Sequence, residues 1–210
     1  MPAPFVPVVL QGDHVRLEPL DEGHVGGLVA AADGPRDTFA YTLVPEADPV
    51  DAGRYVQVAA DQHARGEGLA FAVVRLSTGS VVGSTRFMQA EYWDWGAATI
   101  ARGRPDAVEI GSTWLAESAQ RTGVNTEMKL LMLAHAFDVL GVRRVTLKTD
   151  ARNRRSRDNI ERVGATFEGV RRAHMPATDG GVRDSAWYSI LAVEWPIIHE
   201  RLAARLRPPA

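Results

Sequence analysis

The stretch from Glu109 to Leu140, EIGSTWLAESAQRTGVNTEMKLLMLAHAFDVL, constrains this chain more than any other. A strand-like run leads through a polar loop holding one glycine, Gly123, into a long apolar helix. A strand that feeds a helix in this way turns the loop's backbone N–H groups and the positive end of the helix dipole toward whatever lies above them. The segment is a ready anion site, and the anion expected there is a pyrophosphate.

The flanking segments supply the rest of a sheet. Val6 to Leu10 and Val15 to Leu20 alternate around Gln11-Gly12-Asp13 as a hairpin would. Asp21 is placed to cap a helix running to about Ala32, weakened by Gly26 and Gly27 at roughly 1 kcal/mol each relative to alanine. A loop from Asp33 to Asp48, with Pro35, Pro45, Phe39 and Tyr41, precedes a second helix from Pro49 to His63. Strands are expected at Leu69 to Leu76 and Val81 to Met88, then a connection to Asp106 that carries Tyr92, Trp93 and Trp95. Beyond the central segment the pattern gives a strand from Arg143 to Thr149, a helix from Asn153 to Val163 and a strand from Ala165 to Arg172. A last strand from Asp184 to Leu191 and a closing helix from Val193 to Leu206 complete the chain. Hairpins at the start and a strand–helix–strand unit in the middle predict an α/β or α+β sheet. With 210 residues, 45% of them hydrophobic, the chain is read as one domain spanning 1–210.

Several chemistries are excluded. No cysteine is present, so disulfides, zinc–thiolate sites and a cysteinyl acyl-enzyme are ruled out, and transfer chemistry must use oxygen or nitrogen groups. The six histidines lack the pairing with each other or with carboxylates that a metal site needs, so no metal is expected. There is no G-x-S-x-G elbow, Walker sequence or G-x-G-x-x-G. The opening MPAPFVPVVLQGD has no basic leader and no apolar run nears the ~20 residues of a membrane span, so a cytoplasmic location without membrane attachment is expected. The net charge of −2 divides unevenly: residues 1–106 hold 8 Arg against 14 Asp+Glu (8 − 14 = −6), and residues 107–210 hold 16 Lys+Arg against 12 Asp+Glu (16 − 12 = +4). The basic excess peaks at Arg152, Arg154, Arg155 and Arg157, near the expected anion. The acidic first half, and the absence of aromatics among those arginines, argue against nucleic acid as the partner.

The segment Gln120 to Asn125, QRTGVN, set between strand and helix, resembles the Q/R-x-x-G-x-G/A signature of the GNAT superfamily of acyl-CoA-dependent N-acyltransferases. Gln120 and Gly123 match, and Asn125 departs from the usual final Gly or Ala. The resemblance extends through LQGDHVRLEPL, EIGSTWL, TGVNTEMKLL, LKTDARNRRSRDNIERVGATFEG and RDSAWYSILAVEW, in order, to the branch related to the RimJ/RimL ribosomal-protein N-terminal acetyltransferases. It implies a mixed, mostly antiparallel sheet of six to seven strands flanked by helices. The central parallel pair, Glu109–Leu115 with Arg143–Thr149, is splayed to admit the pantetheine arm of acetyl-CoA or another acyl-CoA.

On that resemblance, backbone groups at Thr113, Trp114 and Leu115 pair with the pantetheine amides, and Gln120, Arg121, Thr122, Gly123, Val124, Asn125 and Thr126 cradle the pyrophosphate. Asn153 and Ser156 match the positions that approach the cofactor arm and thiol, and they equally suit helix capping. Acyl transfer to an amine needs a base, an oxyanion donor and an acid for the thiolate. Strand alternation sets Glu109, Gly111, Thr113 and Leu115 on one face, so Glu109 is the candidate base; the alternative is a strand-end carboxylate. Ser156 or Tyr188 is the candidate acid, Tyr188 having a core role as its alternative. Phe39, Tyr41, Tyr92 and Trp93 are candidates for the acceptor side, or for a satellite core. The acceptor is a primary amine, either a small molecule or a protein N-terminus, and the acidic first half favours a cationic one. The closing helix and the Tyr92 to Trp95 loop offer surfaces for a homodimer. The competing reading is a non-catalytic CoA-binding or regulatory protein on the same fold.

Overall fold

A computed structural model describes residues 5–96 and 104–207. Its backbone is an eight-stranded sheet: β1 (Leu10–Gln11), β2 (Val15–Pro19), β3 (Gly68–Arg75), β4 (Ser80–Glu91), β5 (Ala107–Leu115), β6 (Arg144–Asp150), β7 (Thr166–Pro176) and β8 (Val182–Leu191). The spatial order is β1-β2-β3-β4-β5-β6-β8-β7, and every pairing is antiparallel except β5 with β6. The mixed sheet with a central parallel pair agrees with expectation. Its two-residue β1 brings the count above the six to seven expected.

The helices are α1 (Val25–Ala32), α2 (Pro49–Ala64), α3 (Gly123–Ala134), α4 (Arg154–Val163) and α5 (Trp195–Leu206). Asp21 caps a 3-10 turn, Glu22–His24, whose His24 side chain bonds back to the Asp21 N–H; α1 follows that turn rather than starting at Asp21. The two glycines of α1 differ in purpose. A Cβ at Gly27 would lie 2.6 Å from Val81 Cγ2, so its absence lets α1 settle directly on β4, whereas a Cβ at Gly26 would meet nothing. After Ala134 the chain continues as a π-helical turn, His135–Val139, so the long apolar helix read from the sequence has two parts.

Alternation of side chains across each strand divides the core between two faces. On one face Ile110, Leu115, Phe87, Val145, Leu147 and Tyr188 pack with Met128, Met132, Ile160 and Leu202 from α3, α4 and α5. On the other, Trp114 meets Leu28, Phe39, Ala52 and Val56 around α1 and α2. One charged residue ties the first hairpin to α3: the buried Glu127 carboxylate accepts from the backbone N–H groups of Asp13, His14 and Val15 at 2.8, 2.6 and 2.7 Å. No helix among the described residues is long and apolar enough to cross a membrane.

Candidate active site

β5 and β6 pair only over Ala107–Arg144, Val108–Val145 and Glu109–Thr146. Past Glu109 each strand keeps its outer partner, β4 or β8, and loses the inner one. The edges that face each other beyond this point carry backbone donors and acceptors with no ladder to join.

A bulge then re-aims β5. Gly111 pairs with Arg86 and Trp114 with Ser84, so three positions of β5 span two of β4, and Ser112 takes φ 46°. That extra residue shifts the alternation by one. Thr113 therefore points to the α3 side, where its Oγ1 contacts Thr85 Oγ1 at 2.8 Å and accepts from Lys129 Nζ at 2.9 Å. Leu115 joins the core on that side. Glu109 and Gly111 remain on the opposite face, where Ser112 Oγ donates to Met88 Sδ at 3.7 Å. The single face expected for Glu109, Gly111, Thr113 and Leu115 is corrected accordingly: unbroken alternation does not survive the bulge.

Glu109 is 3% exposed rather than a strand-end carboxylate in water. Lys148 Nζ, from β6, donates to its Oε2 at 2.6 Å and sits 5.2 Å from the centroid of the Trp187 ring. The second oxygen, Oε1, lies over Gly111, where a Cβ would come within 2.8 Å of it and of Met88 Cε. The pair floors a cavity of about 150 Å³ on the stretch of sheet left open beside α1 and α2, lined by Gln89, Glu91, Glu109, Thr146, Lys148, Arg171, His174 and Trp187.

At the far end of β5 the expected anion loop is built around the start of α3. Thr122 is the N-cap, its Oγ1 accepting from the Val124 N–H and donating to the Ala119 carbonyl. Arg121 takes φ 58° and is exposed. The first-turn N–H groups of α3 have no partner within the helix, as at any helix start. Gln120 folds inward, with its Nε2 donating to the Leu115 carbonyl at 2.9 Å, so that carbonyl already has a partner. Val124 is core, and Asn125 donates to Asn159 of α4 at 3.1 Å while Thr126 stays half-buried. A Cβ at Gly123 would meet only His14 and Leu206 at an ordinary 3.6 Å, so packing does not demand glycine here.

The four clustered arginines separate by partner. Arg152 bonds Asp150 and Asp179 and lies over Tyr41, and Arg157 donates to Tyr188. Arg155 bridges Gln120 and the Thr38 carbonyl. Arg154 is exposed, and its guanidinium, like that of Arg121, has no hydrogen bond or ion pair among the described residues. Those two leave positive charge available beside the α3 loop, which is what a pyrophosphate requires.

Asn153 caps α4, accepting from the Ser156 N–H at 3.0 Å, and the Ser156 hydroxyl engages no partner among the described residues. Tyr188 is fully buried, and its hydroxyl accepts from Arg157 and donates to Glu161. Burial pushes its pKa up against the pull of Arg157. Of the aromatics assigned to the acceptor side, Phe39 is core, edge-on to Trp114. Tyr41 is half-buried under Arg152. Trp93 donates from its backbone to Asp106 and from its indole to Glu91, which lines the cavity, and Tyr92 is half-buried. The middle of the aromatic connection, residues 97–103, lies outside the described residues.

Seven of the eight cavity residues escape a motif reading, Lys148, Arg171, His174 and Trp187 among them. Period-two alternation was the available signal. Thr146, Lys148 and Asp150 interleave with core Val145 and Leu147, and Arg183, Ser185 and Trp187 share one face of β8. Lys129 is a further omission: it is enclosed in the apolar face of α3, and burial alone lowers its pKa to about 7.

The chain matches the family described as Acetyltransferase (GNAT) domain over residues 14–166. Among solved structures, a GCN5-related N-acetyltransferase from Brucella melitensis is 30% identical, with 98% of this chain and 88% of that one covered and a TM-score of 0.83. A putative acetyltransferase from T. thermophilus is 29% identical, with 97% and 99% covered and a TM-score of 0.80. Mycobacterium smegmatis RimJ, solved in complex with CoA-disulfide, shares the fold at 20% identity, with 96% and 95% covered and a TM-score of 0.75. No curated protein matches the sequence.

Proposed function

The chain belongs to the GNAT acetyltransferase family, whose members take an acyl group from acetyl-CoA, and from that premise we propose the following roles for its residues. The parting of β5 from β6 after Glu109 carries the proposal. It leaves two strand edges able to pair with the amides of a pantetheine arm between Ser112–Leu115 and Leu147–Asp150. The α3 loop, with Arg121 and Arg154, holds the pyrophosphate, and Asn153 and Ser156 flank the arm. When bound, acetyl-CoA supplies an acyl thioester.

The residues of the chain handle the protons. An amine enters from the cavity side, across Gly111. Glu109 Oε1 takes the proton that the amine loses as its nitrogen joins the acyl carbon and the carbon–sulfur bond breaks. The Lys148 ion pair keeps Glu109 aimed by holding Oε2 and leaving Oε1 to face the cavity. A backbone N–H at the bulge stabilises the carbonyl oxygen as charge develops. Ser156 returns a proton to the thiolate; it is preferred to Tyr188, whose hydroxyl proton is committed to Glu161. Attack is direct and within a ternary complex, and no cysteinyl acyl-enzyme can intervene because the chain has no cysteine.

The segment order supports the RimJ/RimL-related branch as the position within the family, and 1–210 acts as one domain. The acceptor is a primary amine. The test is acetyl-CoA-dependent thiol release against a panel of amines, with the Glu109→Gln variant in parallel. Acceptor-dependent release that falls in the variant while acetyl-CoA affinity holds is expected. Acetyl-CoA binding with no acceptor-dependent release would support the non-catalytic reading instead.

A further inference from the structure

The cavity beside Glu109 has walls of opposite sign. Glu91 and Glu109 stand on the β4–β5 side and Arg171, His174 and Trp187 on the β7–β8 side, with Lys148 between them paired to Glu109. Behind His174 stands a second guanidinium. Ser185, fully buried, accepts from Arg183 Nε at 3.1 Å and contacts His174 Nδ1 at 2.9 Å. A hydroxyl that accepts from Arg183 still has its own proton to give to Nδ1, and in that arrangement the neutral His174 presents Nε2–H outward as a donor. Burial first, then Lys148, Arg171 and Arg183, holds the His174 pKa below its ordinary value, in keeping with three cations around one imidazole.

Among the described residues these donors lack acceptors. Arg171 is exposed, and its guanidinium has no hydrogen bond or ion pair there. Arg183 is half-buried, and beyond Nε its guanidinium makes no hydrogen bond or ion pair among the described residues, although Asp150 and Glu109 lie near enough to act on its charge. The nearest carboxylates are committed elsewhere, Asp150 to Arg152 and Glu109 to Lys148. Partly burying a guanidinium without an acceptor is unfavourable, and a carboxylate is the group whose geometry matches it.

We propose that the acceptor is a small zwitterion, an amine bearing a carboxylate. Its carboxylate is held by Arg171 and the His174 N–H, with the Arg183 guanidinium behind them adding positive charge, and its amine lies at the Glu109 wall. The inference rests on the acyltransferase reading and adds the substrate class to it. About 150 Å³ suits a molecule of roughly benzene size, the scale of a small amino acid. A peptide N-terminus offers an amide where the free carboxylate would be. The acidic first half favours a cationic acceptor on totals alone, but those totals do not describe this wall, because its cations come from β6, β7 and β8 in the second half.

The experiment is thiol release from acetyl-CoA with the wild-type chain in three arms: free amino acids, the same compounds as amides or decarboxylated amines, and short peptides with free N-termini. Amino acids should exceed their carboxylate-free counterparts in kcat/KM by about 100-fold or more, as expected where charged donors are left unpaired. Arg171→Gln, at an exposed position where folding is safe, should raise KM for the amino acid more than it lowers kcat and narrow that preference; Arg183→Gln should do the same. Equal or better turnover of decarboxylated amines or of peptides overturns the zwitterion inference alone. A preference untouched by either substitution also overturns it. No release in any arm overturns the acyltransferase reading and takes this inference with it.

Discussion

Lys129→Met is expected to make the protein more stable at neutral pH and to lose that advantage in base. The Lys129 ammonium is enclosed on α3, with Thr113 Oγ1 at 2.9 Å as its hydrogen-bond partner, and burial alone brings its pKa from 10.5 to about 7. In the unfolded chain the lysine titrates near 10.5, so between about 7 and 10.5 the unfolded state binds more protons, and stability rises with pH across that window. At ~1.4 kcal/mol per pKa unit, the cost of burying the group is about 5 kcal/mol in acid, about 4 kcal/mol at pH 7 and about 1 kcal/mol at pH 10. Methionine is of similar size, carries no charge and forfeits a hydrogen bond of about 1 kcal/mol. The variant should therefore exceed wild type by about 3 kcal/mol at pH 7 and match it near pH 10. In urea this is a midpoint shift of roughly 1–3 M at the lower pH, given ordinary denaturant slopes. Urea titrations at pH 6, 7, 8, 9 and 10, followed by tryptophan fluorescence, read it directly. The difference between the two proteins isolates this lysine from every other titrating group. A gap that stays constant from pH 7 to 10, or a variant less stable at pH 7, refutes the argument.

Three further outcomes follow from the same geometry. Gly111→Ala places a methyl 2.8 Å from Glu109 Oε1; it should displace the carboxylate and lower kcat by at least about tenfold, with a melting temperature near wild type, and unchanged kcat removes Oε1 from proton transfer. Glu127→Ala strands three backbone N–H groups at the first hairpin and should cost about 3–5 kcal/mol in chemical denaturation, a loss below about 1 kcal/mol showing that water replaces the carboxylate. Ser156→Ala should lower kcat while Tyr188→Phe leaves it within about threefold, since only the first hydroxyl is uncommitted among the described residues; the reverse order in steady-state rates would transfer the acid role to Tyr188.

Elements set by local rules were readable before any coordinates. The strand–loop–helix order of β5 and α3 and the capping residue Asn153 follow from periodicity and turn chemistry, whereas the parallel pairing of β5 with β6 came from the family resemblance. The bulge at Ser112 was not readable, because serine carries no preference for a positive φ, and one unread residue reversed the side assigned to Thr113 and Leu115. Phe39 and Tyr41 were candidates for the acceptor side, and long-range packing against Trp114 and Arg152, which no local pattern records, decides where they go. The cavity depends on a strand order that brings Arg171 and His174 of β7 to the same lining as Lys148 of β6, two strands away in the sheet. No spacing along the chain records that meeting.

The three register pairs that join β5 to β6 also mark where the sheet is mechanically thinnest. From β1 to β5 the strands form one continuously bonded panel, and β6, β8 and β7 form another. With so short a stitch, opening motions should concentrate along this seam, and amides of Ile110–Leu115 turned toward it should exchange with solvent faster than those bonded to β4. A pantetheine arm bridging the two panels would act as a ninth strand. Substrate affinity and resistance to unfolding would then share one set of hydrogen bonds, so that the melting temperature climbs with acetyl-CoA concentration as mass action requires. In the cell, the concentration of CoA and its thioesters would set how firmly the two panels are held together.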